Sequence, residues 1–191
     1  MIEIRKAKVG EAQAITDLVN HFARNGMMLS KTLLQVYEYV RDFVVAVDEH
    51  GQILGCGALR LMWHDLAEVR SLAVHEKAQG LQLGRRIVEA LVEEARTLDL
   101  ARVFALTYQQ QFFEKLGFTV VEKDIFPQKV WLDCKGCPKS EACDEIAMIY
   151  VLDAARAARG EEEFAAHANA GRLGIHGFPK HPGEMPVEVA S

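Results

Sequence analysis

The 191-residue sequence has no apolar stretch approaching the ~20 residues needed to span a bilayer. Its opening, Met1 to Lys8, mixes charges with apolar positions and lacks the uninterrupted core of a signal peptide. A soluble, cytoplasmic protein without a membrane partner is expected. Basic residues are not in excess: 22 Lys and Arg stand against 27 Asp and Glu, a net charge of -5, and the cations are scattered. No stripe exists that would neutralise a run of phosphates, so nucleic acid is excluded as a partner. There are only four cysteines, three of them crowded between Cys134 and Cys143, which is not the spread framework of a small secreted domain. Reduced thiols or a metal are expected instead. Neither a Ser-His-Asp nor a Cys-His arrangement emerges, and no internal repeat is evident.

What is present suits one domain with a sizeable core: half the residues are hydrophobic and 26% are charged. Short β-branched runs alternate with longer amphipathic stretches, which predicts an α/β or α+β domain. Strands are expected at Ile2–Ala7, Phe43–Val47, Ile53–Met62, Ala67–Val74, Arg102–Thr107, Phe118–Val121 and Ile146–Leu152. Helices are expected at Gly10–Arg24, Met27–Arg41, Arg85–Leu98 and Gln110–Leu116, the last stopped by Gly117 in a left-handed conformation. The helix from Arg85 carries the clearest stripe, Ile87, Val88, Leu91, Val92 and Ala95. Beyond Asp153 the composition shifts to an Ala- and Glu-rich stretch reaching about Ala170, then to Gly, Pro and His. The expected organisation is a core domain over 1–152, with a marginal helix and loose tail over 153–191.

Chemistry first appears at Gln79-Gly80-Leu81-Gln82-Leu83-Gly84-Arg85-Arg86, between a strand and the strongest helix. Unpaired amides and the positive end of the helix dipole favour an anion there, and glycines let backbone approach it. Two arginines in a first helical turn oppose that dipole, and Arg85 with Glu89 has the less favourable order of charges. A bound phosphate removes the conflict. The alternative is that Gly80 and Gly84 merely shape a turn while the arginines face water.

Gln79 and Gly84, between strand and helix, resemble the Q/R-x-x-G-x-G/A hallmark of the GNAT superfamily of acetyl-CoA-dependent N-acetyltransferases, with Gln82 in place of one glycine. The resemblance implies a mixed, twisted β-sheet flanked by helices on both faces. It implies that Gln79, Gly80, Leu81, Gln82, Leu83, Gly84, Arg85 and Arg86 hold the pyrophosphate of acetyl-CoA, and that backbone groups of Leu72 and Val74 pair with its pantetheine arm. In Phe112-Phe113-Glu114-Lys115-Leu116-Gly117-Phe118, Phe113 stands where the family usually has the tyrosine that protonates the departing thiolate. The segments Met27–Lys31, Arg41–Ala46, Gly55–Leu59, Asp65–Val74 and Arg102–Thr107 together resemble the short, single-domain bacterial N-acetylglutamate synthases. That implies L-glutamate as acceptor, acetylated on its α-amino group in the first step of arginine biosynthesis. A homodimer is possible under this reading. Another acceptor, or a non-catalytic acetyl-CoA sensor, is the alternative.

Acyl transfer to an amine needs a deprotonated nitrogen, a polarised thioester carbonyl and a proton for the thiolate. Glu68 and Arg70 are two apart on a strand, so they share a face, and alternation extends that face to Leu72 and Val74. Arg70 can grip a carboxylate and Glu68 can take the amine's proton; alternatively they simply pair with each other. Lys31 is the second cation for a two-carboxylate acceptor, or else a solvated lysine. Tyr108 is the substitute acid, or else a core aromatic with its hydroxyl at the rim. Among the histidines only His64, beside Trp63 and Asp65, merits testing. Cys134, Cys137 and Cys143 supply three of the four ligands of a structural zinc site, or remain free thiols, so the metal is left unknown.

Overall fold

The computed structural model describes residues 1–126 and 143–169. Seven strands form one sheet: β1 (Glu3–Lys6), β2 (Phe43–Val47), β3 (Ile53–Leu61), β4 (Leu66–Val74), β5 (Arg102–Thr107), β6 (Thr119–Val121) and β7 (Ile146–Val151). Their spatial order is β1-β2-β3-β4-β5-β7-β6. All neighbours are antiparallel except β4 and β5, which are parallel. The helices are α1 (Ala12–Ala23), α2 (Leu33–Glu38), α3 (Leu83–Thr97), α4 (Gln110–Glu114) and α5 (Ala154–Asn169). This is the mixed α/β architecture expected from the alternation of periods.

The apolar stripe of α3 buries Leu83, Ile87, Val88, Leu91, Val92 and Ala95 against one face of the sheet, where Val44, Leu59, Ala67, Val69 and Val103 meet it. On the opposite face, Ile15, Leu18, Val19 and Phe22 of α1 pack with Val45, Cys56, Ala58 and Ala73. Two glycines of β3 set how closely α3 can lie. A Cβ on Gly57 would stand 2.8 Å from Ile87 Cγ2, and one on Gly55 would stand 3.0 Å from Ile87 Cδ1. A side chain at Gly57 would therefore lift the helix from the sheet.

The strand at the centre is not regular. β3 and β4 pair Cys56 with Ala73 but Ala58 with Arg70, so Gly57 faces two residues, Ser71 and Leu72. Ser71 sits in the left-handed region at φ 51°. This β-bulge shifts side-chain parity by one residue. Ala67 and Val69 before it, and Leu72 and Val74 after it, all pack toward α3. Arg70 shares the face of its cross-strand partner Ala58, which packs toward α1, and Glu68 lies two residues before it on the same side. The expectation that Glu68, Arg70, Leu72 and Val74 share one face is thus corrected. The bulge reverses the alternation between Arg70 and Leu72.

β4 and β5 are paired only from Leu66 opposite Arg102 to Glu68 opposite Phe104. Beyond that point the strands part, and no strand is paired to the β5 side of β4 from Val69 to Val74 among the described residues. The notch between them is the principal interruption in the sheet.

The expected helix over 27–41 is shorter. Gly26, at φ 71°, ends the turn after α1, and α2 does not begin until Thr32 accepts a hydrogen bond from Gln35 N at 3.2 Å while the Gln35 side chain accepts from Thr32 N at 2.9 Å. This reciprocal capping box starts the helix late and leaves Met27 to Lys31 as a loop. The Ala- and Glu-rich stretch does form a helix. Asp153 Oδ1 accepts from Arg156 N at 3.0 Å at the start of α5. The buried Arg102, bound to Asp65 at 3.0 Å, also meets Glu161, and Arg156 meets Asp99. Gly160 has no side chain because the Asp65 carboxylate occupies that place. The tail over 170–191 lies outside the described residues.

Two outcomes follow for stability. Gly57→Ala should destabilise the fold by about 1–3 kcal/mol through overpacking on Ile87; denaturant unfolding of Gly57→Ala, Ile87→Ala and the double variant should show a double variant less destabilised than the sum. The second outcome concerns Glu11, which accepts hydrogen bonds from Arg5 at 2.6 and 3.0 Å and from Lys8 N at 2.6 Å, tying β1 to the start of α1. The hydrogen bond from Arg5 holds its carboxyl below the ordinary value of 4.5, against a smaller opposing effect of burial. This contribution is fully present above 4.5 and is lost as pH falls through the lower folded value. Glu11→Gln should therefore flatten the acid limb of stability below about pH 4.5, as read by unfolding at a series of pH values.

Candidate active site

A cleft of about 1100 Å³ opens where β4 and β5 diverge. Its walls include Glu68 to Val74 of β4, Leu106 to Gln109 at the end of β5, the loop from Ala78 through the first turn of α3, and the Met27 to Lys31 loop. Because the bulge turns β4 over, its two halves present different chemistry. Leu72 and Val74 offer apolar contact on the α3 side, while Glu68 and Arg70 lie on the α1 side.

At the α3 end, Gly80 has φ 83°, which suits its lack of a Cβ, and Gln82 is the residue capping the helix at φ 56° and ψ 23°. The first helical hydrogen bond runs from Arg86 N to Gln82 O at 3.1 Å. The amides of Gln82, Leu83, Gly84 and Arg85 are therefore the four that helix geometry leaves without an intrahelical acceptor. Gln82 makes no side-chain capping bond. Such a terminus attracts an anion. A Cβ at Gly84 would find Phe112 at 3.4 Å and Val74 at 3.7 Å, ordinary contacts, so alanine fits there in space.

The other end of the cleft holds ionic groups. Glu68 is 3% exposed, and Arg70 Nη1 lies 3.6 Å from its Oε2. Lys31 also lines the cleft. Tyr108, in the wall beyond β5, donates its hydroxyl to Asp144 Oδ1 at 2.7 Å. Phe113 is buried, stacked edge-on against Phe112 and Phe118, so the helix α4 brings no hydroxyl to the cleft at that position. Beneath the bulge, the Cys56 thiol donates to Ser71 O at 3.6 Å, and burial pushes its pKa up to about 12. It is a structural thiol, not a nucleophile.

The cleft brings together Lys31, Glu68, Arg70, Leu72, Val74, Gln79, Gly80, Gln82, Leu83, Gly84, Arg85 and Tyr108. Leu81 and Arg86, expected in the site, lie elsewhere, and so does His64, for which a core or surface place is the default. Leu81 is exposed outside the lining, Arg86 donates to Ile2 O at 3.1 Å and so fastens α3 to the residue just before β1, and His64 pairs with Glu163 of α5 at 3.0 Å. Arg85 Nε bonds Glu89 Oε1 at 2.7 Å. Cys143 and Glu145 line the cleft as well, while Cys134 and Cys137 lie outside the described residues. Among the described residues no three His, Cys, Asp or Glu side chains gather as a metal site, and no helix is long and apolar enough to cross a membrane.

Sequence reasoning did not assign Met27 to Leu29, Phe112 or Lys115 to the site. Phe112 had a signal in its place beside Phe113, whereas Met27 to Leu29 were obscured by helical spacing that continues across the loop.

The acetyltransferase (GNAT) family model matches residues 15–118, more than half of the chain. The chain belongs to the GNAT acetyltransferase family. An uncharacterised N-acetyltransferase of Chlorobaculum tepidum is 41% identical to it over 149 residues, 78% of this chain and 96% of that protein. An amino-acid acetyltransferase of Mycobacterium tuberculosis is 41% identical over 121 residues, 62% of this chain and 69% of that protein. A Mycobacterium tuberculosis protein solved in complex with CoA and NLQ superposes with a TM-score of 0.70 at 34% identity, covering 78% of this chain and 99% of that one. The activity is acetyl-CoA-dependent N-acetyl transfer of the GNAT type.

The β5-side edge of β4 that no described strand pairs, the helix-start amides without an intrahelical acceptor and the size of the cleft all suit a long, phosphorylated thioester. Gly84→Asp tests that fit without confounding it with folding, since an acid in the first turn of a helix favours the helix but repels a phosphate. Calorimetry with CoA should show Gly84→Ala close to the parent and Gly84→Asp weaker by at least about tenfold, with a melting temperature no lower than the parent's in both.

Proposed function

We propose that the enzyme transfers acetyl from acetyl-CoA to the α-amino group of L-glutamate, the first step of arginine biosynthesis. The observation that carries this reading is that two cations, Lys31 and Arg70, line the same cleft as the start of α3, with Arg70 lying 3.6 Å from the buried carboxylate of Glu68. A dicarboxylate with one amine matches that set in charge and number. The likeness to an amino-acid acetyltransferase supports the acceptor class.

Acetyl-CoA supplies an already activated acyl group, so attack is direct and needs no acyl-enzyme. The amides of Gln82 to Arg85 hold its pyrophosphate, with Gln79 and Gly80 shaping the loop before them. The β5 side of β4 at Leu72 and Val74 lies along the pantetheine arm, which keeps the thioester within the notch. Arg70 grips one carboxylate of glutamate through its planar fork and Lys31 meets the other. Glu68, fixed by Arg70, takes the proton from the ammonium, directly or through water. Tyr108, which lines the cleft and donates its hydroxyl to Asp144 Oδ1 at 2.7 Å, is the candidate that gives the departing thiolate its proton.

Release of free CoA thiol with a panel of amino acids tests the acceptor. L-Glutamate should give the highest kcat/KM; a higher value for glutamine, or for an amine without a carboxylate, would overturn the assignment. Arg70→Ala should raise the KM for glutamate by about tenfold or more and leave that for acetyl-CoA nearly unchanged. Glu68→Gln should lower kcat instead, most severely at low pH, with partial recovery as rising pH deprotonates the amine without help.

A further inference from the structure

The structure assigns to Asn20 the task of positioning Lys31 for the acceptor, an inference that rests on the glutamate reading above. Asn20 lies on α1, one turn before its end, and its carboxamide meets a single peptide segment from both sides. Asn20 Nδ2 donates to Lys31 O at 2.8 Å, and Asn20 Oδ1 accepts from Lys31 N at 2.9 Å. The amide thereby acts on Lys31 as a neighbouring β-strand would, satisfying both of its backbone groups at once.

The need for such a clamp follows from the loop. Gly26 and Met27 are held at its near end by bonds to Ala23 O at 2.9 Å and Phe22 O at 3.2 Å. At the far end α2 begins only with Thr32 and its capping box. Lys31 stands just before the Thr32 cap of that helix and lines the cleft. Lysine has a long stem whose ordering is costly, so a backbone fixed on both sides narrows the space its ammonium explores. A carboxamide suits this work in a way that a carboxylate or hydroxyl does not, because it offers one donor and one acceptor in a plane. Asn20 itself is absent from the cleft lining. Its effect on the reaction passes through Lys31, and it is a positioning residue, not a catalytic one.

The test is steady-state kinetics on the full chain with L-glutamate and acetyl-CoA, for Asn20→Ala, Lys31→Ala and the double variant. Asn20→Ala should raise the KM for glutamate about tenfold while kcat and the KM for acetyl-CoA stay within about twofold. Lys31→Ala should raise the same KM at least as far, and adding Asn20→Ala to it should raise it no further, since the clamp then has no ammonium to aim. Asn20→Asp, which retains the acceptor for Lys31 N but loses the donor to Lys31 O, should fall between. A double variant whose KM shows the two effects multiplied would make Asn20 a general support of the fold and overturn the inference, as would an unchanged glutamate KM in Asn20→Ala beside a raised one in Lys31→Ala. An unchanged KM in Lys31→Ala, or no turnover of glutamate at all, overturns the acceptor reading and the inference with it.

Discussion

The extra residue in β4 decides how the rest of the molecule is used. Ser71, held at φ 51° opposite Gly57, turns the strand over between Arg70 and Leu72. Without it, Glu68 and Arg70 would face α3 with Leu72 and Val74, or all four would face α1. With it, one strand gives two charged groups to one face and an apolar edge to the other. A bulge also sharpens local twist and bends its strand, in keeping with the parting of β4 from β5 just past Glu68. The Cys56 thiol beneath Ser71 O and the bare Cα of Gly57 under Ile87 are the packing that tolerates the irregularity.

That division separates two electrostatic problems inside one cleft. At the start of α3 the donors are backbone amides, whose partial charge is fixed by geometry and cannot be titrated away. On the α1 side the charges are side chains, Lys31, Arg70 and Glu68, drawn from a loop and a strand. On the proposed reading, the first arrangement recognises a phosphate whatever it is attached to, and the second selects what carries the acetyl away. On that reading, keeping them on opposite faces of β4 lets the acceptor site change without disturbing the donor site, and so the GNAT fold shows the donor more plainly than the acceptor.

Much of this was legible in the amino-acid sequence because its signals are local. The stripe of α3, the Gly80 and Gly84 loop, the stop at Gly117 and the seven strand segments depend on neighbours within a few residues, and each appears close to its expected place. Lys31, Glu68, Arg70 and Tyr108 do reach one cleft. What the sequence hid are features set by distant partners. The bulge depends on how β4 registers against Gly57, and nothing at Ser71 itself announces a left-handed residue. The late start of α2 was masked by Leu33, Leu34, Tyr37 and Val40, whose spacing extends past both ends of the helix. His64 looked available because its partner, Glu163, lies 99 residues away on α5.

Gln82 shows why a departure from a local rule can be informative. The apolar stripe of α3 runs from Leu83 to Ala95, yet its cap is neither Ser, Thr, Asp nor Asn, and Gln82 adopts a left-handed conformation that costs a residue with a Cβ about 1–2 kcal/mol. A serine or aspartate there would place its own oxygen on the amides of Gly84 or Arg85. That would stabilise the isolated helix, and it would also occupy the donors that the proposed reading gives to pyrophosphate. Two further choices in the same turn point the same way. Gly84 is a poor helix former in a position where alanine fits, and Arg85 sits at the positive end of the dipole, bonded to Glu89 at 2.7 Å. Each of the three weakens the helix start on its own, and Gln82 and Arg85 leave it suited to an anion in front, so the local cost and the proposed binding role have one physical origin.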